Sequence, residues 1–260
     1  MKTSKTIVLT GAAKTGIGEA LTRALISEGH KVIGSYQPDD AEKARGLMAE
    51  LKSTSLQLHE VDHTVRSALA AFVTAVDGPI DALINGQFVF EMEDPKRYDH
   101  DLWDWLVAMN LTAPNYLSRE FEPKIVDRGS IVTITSTEGF IGSFGGAAYA
   151  ACKAGVHNLI KTHANNFGHR SIRVNAVAGG WIGGVEDTDE IFNKSRGITP
   201  LARLGAGSEV AEVVLFLISE MASFVNGTVI TVDGGYTGVD TLAKYEYDEF
   251  RKSKDQSPKV

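Results

Sequence analysis

Residues 6–18, "TIVLTGAAKTGIG", decide the fold of this chain. The run at 6–10 is apolar and rich in β-branched residues, and a glycine-rich turn joins it directly to a helical pattern at 17–28. A strand that is apolar on both sides of its pleat is typical of a parallel sheet covered by helices on both faces. The stretch therefore predicts a strand-turn-helix unit in which glycines let the backbone approach another group closely.

The same alternation of short apolar runs and longer helical patterns continues along the chain. The predicted strands lie at 6–10, 31–35, 55–61, 81–85, 130–136, 173–178 and 228–232. The predicted helices lie at 17–28, 40–52, 65–76, 100–121, 147–167 and 208–219. This order predicts an α/β fold, a single-domain doubly wound parallel sheet of about seven strands with helices on both faces.

Composition restricts the classes of partner. The 260 residues are 43% hydrophobic and 23% charged, as in an ordinary globular protein. A net charge of -7 argues against nucleic acid and anionic membranes, so we expect a small-molecule partner. The apolar run near the N-terminus is too short for a signal peptide or a membrane span. Cys152 is the only cysteine, which excludes an internal disulfide and a cysteine-based metal cluster; we expect no metal site and a cytoplasmic location.

The glycine-rich turn indicates a ligand class. Doubly wound sheets bind ligands beyond the carboxyl ends of their strands, and glycines after the first strand let backbone N–H groups approach a pyrophosphate. A plain strand-helix turn is the competing interpretation. We predict a dinucleotide-binding and catalytic domain over residues 1–240 and a charged C-terminal arm over 241–260.

A second motif points to proton transfer. Tyr149 and Lys153 are four residues apart in the predicted helix 147–167, which places the phenol and the ammonium on one face. A nearby cation lowers the pKa of a phenol, and this favours acid or base chemistry near neutral pH. Ser136 ends a predicted strand thirteen residues earlier, close enough for its hydroxyl to lie beside the phenol. A chance Tyr-Lys pair is the alternative if the motif stands alone.

These pieces together resemble the classical short-chain dehydrogenase/reductase family over about residues 5–236, which implies a Rossmann-like fold. The matching pieces are "TGAAKTGIG", "VDHT", "ALIN", "MNLT", Ser136, Tyr149-x-x-x-Lys153, "RVNAVAGG" and "VDGG". The chain departs from the family pattern in four places, one of which is Gly179-Gly180 where the family has Pro-Gly after the sixth strand. Four residues instead of three separate Gly11 and Gly16, "NGQF" follows the fourth strand, and Gly184 replaces the usual Thr.

The resemblance implies four catalytic residues. Tyr149 would be the general acid in ketone reduction and the base in alcohol oxidation, and Ser136 would polarise the substrate oxygen. Lys153 would hold the nicotinamide ribose and lower the pKa of Tyr149. Asn110 would anchor, through its backbone, a water in a proton relay.

The resemblance also implies a cofactor site. Its residues are Gly11, Lys14, Thr15, Gly16, Ile17, Gly18, Ser35, Tyr36, Val61, Asp62, Asn85, Gly86, Tyr149, Lys153, Gly180 and Ile182. Tyr36 stands where NAD-binding members usually carry an acid, so nothing there repels a 2′-phosphate, and Lys14 supplies a positive charge. Asp39 and Asp40 lie close by and complicate this field. We predict that NADP(H) is favoured over NAD(H).

The predicted substrate residues are Phe88, Ser136, Glu138, Phe140, Phe144 and Trp181. Aromatic walls suit an apolar ring, and the negative charge of Glu138, with Glu91 and Glu93 nearby, disfavours an anionic one. We predict an oxidoreductase for a ketone or secondary alcohol, preferably a neutral or cationic cyclic or aromatic molecule. An acyl-thioester (3-oxoacyl) reductase and a non-catalytic dinucleotide-binding sensor are the alternatives.

Assembly is predicted from the same resemblance. The helices at 100–121 and 147–167 match the pair through which the family commonly forms tetramers, with the 208–219 helix and the last strand at the other interface. Trp103, Leu106 and Val107 are apolar residues for the outer faces, although packing against their own sheet is the alternative. We predict a homotetramer.

Overall fold

The computed structural model describes residues 4–184 and 188–255. The strands are β1 Thr6–Thr10, β2 Lys31–Tyr36, β3 Leu56–Glu60, β4 Ile80–Asn85, β5 Ile125–Ser136, β6 Arg173–Gly179 and β7 Val229–Val232. The helices are α1 Ile17–Ser27, α2 Ala41–Leu51, α3 Arg66–Ala75, α4 His100–Val107, α5 Ala113–Phe121, α6 Ala147–Phe167, α7 Asp189–Ile198, α8 Gly207–Ile218 and α9 Thr241–Asp255.

Within the described residues the strands form one sheet in the order β3-β2-β1-β4-β5-β6-β7, and each neighbouring pair is parallel. The order reverses between β1 and β4, so the connections that leave these two strands diverge and leave a crevice. Thr10 pairs with Asn85 at its floor. The predicted doubly wound fold is confirmed.

Two apolar layers cover the two faces of the sheet. One buries Leu69 of α3 and Leu117 of α5 with α6, and the other buries Leu21 of α1 and Val214 of α8. Alternate residues of each strand contribute to both layers, which is why the strands read as continuous apolar runs. Burial at roughly 25 cal/mol per Å2 is the main stabilising contribution to such a core.

Two predicted elements have different bounds. Strand β5 begins at Ile125, five residues before the predicted start, because Arg128 at φ 67° forms a bulge where "VDRG" reads as a loop. The predicted helix 100–121 is interrupted by a π turn at Ala108–Thr112 between α4 and α5. Such turns are frequent at functional sites.

Helix α7 was not predicted as an element, although its start has a helix signature. Thr188 caps it by accepting a hydrogen bond from the Ile191 N–H at 3.2 Å, and two acids occupy its first turn. The predicted C-terminal arm contains one helix, α9, which contacts α7. Parts of both predicted units lie outside the described residues. These are 1–3 and 185–187 of the predicted domain and 256–260 of the predicted arm. In the part of the chain that is described, we find no helix with the length and apolarity needed to span a bilayer.

One residue predicted to face a partner lies in the core instead. Leu106 is fully buried, and its carbonyl accepts a hydrogen bond from the Asn110 side chain. Packing against its own sheet, the alternative stated above, is therefore correct for Leu106. Trp103 and Val107 are half-buried.

Candidate active site

Two cavities meet at the carboxyl edge of the sheet. The glycine-loop cavity, of about 130 Å3, is lined by Thr15, Gly16 and Ile17 from the first turn and by the segment after β6. The outer cavity, of about 170 Å3, is lined by Phe90, Ser136, Thr137, Glu138, Tyr149, Gly180, Trp181 and Tyr236. Ser136, Tyr149 and Gly180 line both cavities. A group bound in either cavity therefore reaches the same hydroxyl pair.

The glycine loop is packed too tightly for side chains. Gly11 and Gly16 have φ of 68° and 81°, and a Cβ on Gly18 would lie 2.0 Å from the Gly11 carbonyl oxygen. The extra residue of this loop is accommodated in a turn closed by the Lys14 N–H, which donates to the Gly11 carbonyl at 3.0 Å. No side chain caps α1. This cradle of bare backbone beside a helix N-terminus fits the pyrophosphate of a dinucleotide.

The segment after β6 closes one side of the glycine-loop cavity. Ile182 pairs with Gly205, and the Gly183 carbonyl oxygen would lie 2.9 Å from a Cβ on Gly16. Gly184, which replaces the family's Thr, has φ of 122° and packs against the Gly16 backbone. Glycine at 184 is therefore required by a close approach between two backbone segments.

Tyr149, Ser136 and Lys153 come together as predicted, but the electrostatics differ from the prediction. Tyr149 is 7% exposed, and the Lys153 Nζ lies 5.1 Å from the centroid of its ring. Burial raises the pKa of Tyr149 above its ordinary value; a hydrogen bond with Ser136 opposes this, and Glu138 adds to it. Loss of hydration therefore dominates the pKa of Tyr149, and the lowering of that pKa by Lys153 stays a prediction.

Lys153 is itself strongly perturbed. It is 2% exposed, and burial lowers the pKa of Lys153 to about 8. Its Nζ also lies 5.5 Å from the centroid of the Phe88 ring, so the ammonium is held between two aromatic faces.

Asn110 lies in the π turn and is engaged through its side chain. The Val89 N–H donates to Asn110 Oδ1 at 3.2 Å, and Asn110 Nδ2 donates to the Val89 carbonyl at 2.9 Å. These bonds tie the segment after β4 to the helix that follows it. The side chain is therefore fixed, and only the backbone of the π turn is left for the predicted relay.

The segment after β4 is held against the glycine loop. Thr10 Oγ1 accepts hydrogen bonds from the N–H groups of Gly86 and Gln87 at 3.0 and 3.2 Å. Gln87 was not among the predicted site residues, yet its backbone and its Oε1 occupy the space that a Cβ on Gly11 would need. Its buried Oε1 has no hydrogen-bond partner among the described residues.

Two residues predicted to bind the cofactor have side chains directed elsewhere. Ser35 is fully buried and hydrogen-bonded to His63 Nε2 at 2.9 Å, so its hydroxyl does not reach a ligand. Asn85 Nδ2 donates to Ser118 Oγ at 3.0 Å, inside the layer formed by α5. The backbone at Asn85 is what remains for the crevice. That Ser35 and Asn85 contact the cofactor stays a prediction, and these bonds leave their backbones for that contact.

The other predicted residues of this end lie at the tips of β2 and β3. The Val61 N–H donates to the Tyr36 carbonyl at 2.9 Å, and Tyr36 is half-buried. Asp62 Oδ1 accepts from the Thr64 N–H and hydroxyl at 2.9 and 2.6 Å. The Asp62 side chain therefore shapes the turn before α3.

One of the two acids near this end, Asp40, forms an ion pair. The buried carboxylate of Asp40 binds the Lys43 Nζ at 2.8 Å. Lys14 lies over the Phe88 ring at 5.6 Å, and burial lowers the pKa of Lys14, with Asp40 opposing that shift.

The predicted substrate residues fall into three groups, at the outer cavity, at the glycine-loop cavity and at neither. Glu138 and Trp181 line the outer cavity with Ser136. Phe88 instead lines the glycine-loop cavity, between the two ammonium groups of Lys14 and Lys153, because the chain turns after β4. Phe90, which the sequence also places after the fourth strand at the carbonyl site, does line the outer cavity, and its ring meets the Tyr149 ring edge-on at 5.2 Å.

Phe140 and Phe144 are not brought to either cavity. The Phe140 ring packs on His157 at 4.3 Å between centroids, and Phe144 is fully exposed. Tyr236 lines the outer cavity but was not among the predicted residues. Its position directly after "VDGG", beyond the last strand, is the signal that could have identified it.

Glu93 has a structural role beside the site. Its Oε1 accepts a hydrogen bond from the Ala148 N–H at 2.6 Å, at the start of the helix that carries Tyr149. This carboxylate therefore caps α6 from another segment. Glu91 is exposed and lines neither cavity.

Comparison with known proteins gives consistent results. The sequence model of a family described as enoyl-(acyl carrier protein) reductase matches residues 11–237. A 3-oxoacyl-[acyl-carrier-protein] reductase of Staphylococcus aureus is 32% identical over 247 residues, which cover 90% of this chain and 99% of that protein.

Solved structures are similar over the same part of the chain. A short-chain dehydrogenase/reductase from Serratia marcescens has a TM-score of 0.83 at 28% identity, covering 90% of this chain and 98% of that one. A short chain dehydrogenase from Burkholderia cenocepacia in complex with NADP has a TM-score of 0.83 at 25% identity, with the same coverage of 90% and 98%.

Proposed function

Because this chain belongs to the short-chain dehydrogenase/reductase family and is an NAD(P)-dependent oxidoreductase, we propose that it interconverts a ketone and a secondary alcohol. The observation that carries the proposal is that Ser136 and Tyr149 line both cavities. The nicotinamide cofactor supplies or accepts the hydride when bound. The residues of the chain bind the cofactor and the substrate, orient the carbonyl group and protonate its oxygen.

We assign the cofactor to the glycine-loop cavity. The backbone of Gly11, Gly16 and Gly18 and the first turn of α1 would hold the pyrophosphate, and Lys153 would hold the ribose. The segment Gly180–Ile182 would cover the nicotinamide end. Bare backbone at the glycine loop and a buried ammonium beside the cavity support this assignment.

The proton chemistry follows from burial. A phenol ordinarily keeps its proton at neutral pH, and burial raises the pKa of the Tyr149 phenol further. In the reducing direction the carbonyl carbon gains a hydride and the oxygen gains the Tyr149 proton, so the product is a neutral alcohol. Ser136 would hydrogen-bond the same oxygen and hold it against the phenol.

We propose NADP(H) as the preferred cofactor. The residue at the end of β2 is Tyr36, which brings no negative charge, and the nearby Asp40 is neutralised by Lys43. Lys14 adds a cation to the glycine loop. The Burkholderia cenocepacia protein similar to this chain binds NADP. Fluorescence titration with NADPH and NADH tests the preference, and tighter binding of NADH would overturn it.

For the substrate we propose a neutral or cationic cyclic ketone or alcohol. The rings of Phe90, Trp181 and Tyr236 and the carboxyl group of Glu138 line the outer cavity, where no Lys or Arg is found among the described lining residues. A carboxylate near the reacting carbon would meet repulsion without a clamp. The test compares kcat/KM for cyclohexanone with that for 4-oxocyclohexanecarboxylate. Preference for the carboxylate would refute this specificity.

The second candidate is an acyl-thioester reductase, which the name of the Staphylococcus aureus relative favours. Its substrate would need room for an extended chain and a cationic patch for carrier or coenzyme phosphates. Turnover of acetoacetyl-coenzyme A with NADPH, measured beside cyclohexanone, decides between the two. A kcat/KM at least tenfold higher for the thioester would replace our first proposal.

A further inference from the structure

Aromatic rings form much of the wall of the outer cavity. Phe90 stands edge-on to Tyr149, and Trp181 stands edge-on to Tyr236 with ring centroids 6.4 Å apart. Phe90 is 44% exposed and Trp181 is 47% exposed. Aromatic surface is therefore open to a ligand inside the cavity.

Among the described residues that line this cavity, only Glu138 carries a carboxyl group, and its side chain is half-buried. Ser143 Oγ donates a hydrogen bond to Glu138 Oε1 at 2.9 Å, which holds the side chain in place. Burial raises the pKa of Glu138, and Lys153 opposes this only as the smallest of its influences. The carboxylate thus lies in a partly dehydrated position without an ion-pair partner among the described residues that line the cavity.

We propose that the outer cavity binds the substituted ammonium group of an amino ketone or amino alcohol, with Glu138 as counter-ion and Phe90, Trp181 and Tyr236 as aromatic walls. This inference rests on the proposed function, since the ammonium must belong to the molecule whose carbonyl reaches Tyr149. It goes beyond that function by naming the charged group that the site selects.

The physical reason is that both parts of the site favour the same charge. The face of an aromatic ring attracts a cation, and a ring of such faces recognises alkylated ammonium groups. Burying a carboxylate beneath a neutral ligand costs free energy, whereas a cation restores the interaction lost with water. A neutral ring would use the walls alone, and an anion would be repelled by Glu138.

The test uses two ketones of matched shape. With NADPH, kcat/KM is measured for 1,1-dimethyl-4-oxopiperidinium, whose charge does not change with pH, and for 4,4-dimethylcyclohexanone. We expect the ammonium ketone to be preferred by about 10-fold. Glu138→Gln, which keeps an oxygen for the Ser143 hydroxyl, should lower that preference to near unity, and Trp181→Leu should lower it in part.

Controls separate this inference from the proposed function. Glu91→Gln removes an exposed carboxylate close in sequence to Phe90 and should leave the preference unchanged. Reduction of neither ketone would contradict the proposed function. Equal or better reduction of the neutral ketone would overturn only the ammonium site. Quenching of tryptophan fluorescence by 1,1-dimethyl-4-oxopiperidinium measures binding without turnover; binding unaffected by Glu138→Gln would also overturn it.

Discussion

At the scale of single residues, the site depends on two buried groups whose protonation is set by loss of hydration. Burial keeps the Tyr149 phenol protonated and makes the Lys153 ammonium easier to deprotonate. The chain alone therefore presents a proton donor rather than an ionised phenol. Proton transfer in the proposed reaction starts from that state.

The proposed acid is tested by Tyr149→Phe, which removes one hydroxyl and keeps the ring that packs on Phe90. We expect kcat to fall by about 10²–10⁴-fold, the usual contribution of a positioned acid, with the Kd for NADPH nearly unchanged. Steady-state kinetics and a fluorescence titration measure the two quantities. Tyr245→Phe, on the exposed surface of α9, is the matched control. A variant retaining more than a tenth of kcat would show that another group supplies the proton.

The pKa of Lys153 predicts a pH dependence of stability. It is about 8 in the folded protein, below the ordinary value of about 10.4. Between these values the unfolded chain binds the proton that the folded chain has released, so the free energy of unfolding increases with pH. We expect wild type to gain about 2 kcal/mol relative to Lys153→Met between about pH 8 and about pH 10. Urea unfolding measures the difference.

That stability prediction has a clear contrary outcome. If wild type and Lys153→Met show the same change in unfolding free energy over this range, Lys153 is not buried as a perturbed cation. Tyr149 is present in both proteins, so the ionisation of its phenol in the unfolded chain near pH 10 changes both unfolding free energies alike and cancels in the difference.

At the scale of elements, the junction of β1 and α1 determines whether a cofactor can approach. Gly18 lies in the first turn of α1 and touches the Gly11 carbonyl, so the loop folds back on the helix that follows it. The extra residue in this loop is taken up by the turn at Lys14 and does not displace that contact.

The glycine junction is tested by Gly18→Ala. A Cβ there would lie 2.0 Å from a backbone oxygen that cannot rotate away. We expect a loss of about 3 kcal/mol in unfolding free energy, because the backbone must shift, and weaker NADPH binding. Gly46→Ala in α2 is the control, since nothing lies within 4 Å of its Cβ, and it should stabilise by about 0.5–1 kcal/mol. Equal effects of the two substitutions would contradict this account.

At the scale of the whole molecule, exposed apolar residues remain after the core is formed. Phe224 and Met221 follow α8 and are 102% and 82% exposed, and Trp105 of α4 is 38% exposed. Apolar surface of this kind commonly marks contact with another chain. Trp105 lies in a helix for which subunit contacts were predicted, and Met221 and Phe224 lie in the segment that joins α8 to β7, the two elements of the other predicted interface.

We propose that four copies associate. Light scattering should give about four times the chain mass of 28.0 kDa at assay concentrations. Dilution should lower the mass in steps if the two interfaces differ in strength. A mass equal to one chain at every concentration would exclude the tetramer.

The sequence by itself determined the positions of the strands, the alternation of strands and helices along the chain, and the identity of the proposed catalytic residues. Strand β1, the glycine turn and the spacing of Tyr149 and Lys153 are local features, and local patterns of burial and backbone geometry produce them. The predicted strands and helices therefore lie close to the observed ones. The π turn and the bulge in β5 differ because contacts outside the local pattern set them, whereas α7 has a local capping signature at Thr188.

Only the tertiary structure decided which way the site residues point. Phe88 and Phe90 are equally aromatic in the sequence, yet Phe88 lines the glycine-loop cavity and Phe90 lines the outer cavity. The hydrogen bonds that Thr10 accepts from Gly86 and Gln87 fix the segment that carries them. Ser35 is covered by His63, and Tyr236 reaches the outer cavity from the far end of the chain. The tertiary structure also decided the direction in which the pKa of Tyr149 shifts, because burial raises it. The physical reason is that burial and orientation depend on segments distant in the chain, whereas periodicity and spacing record only near neighbours.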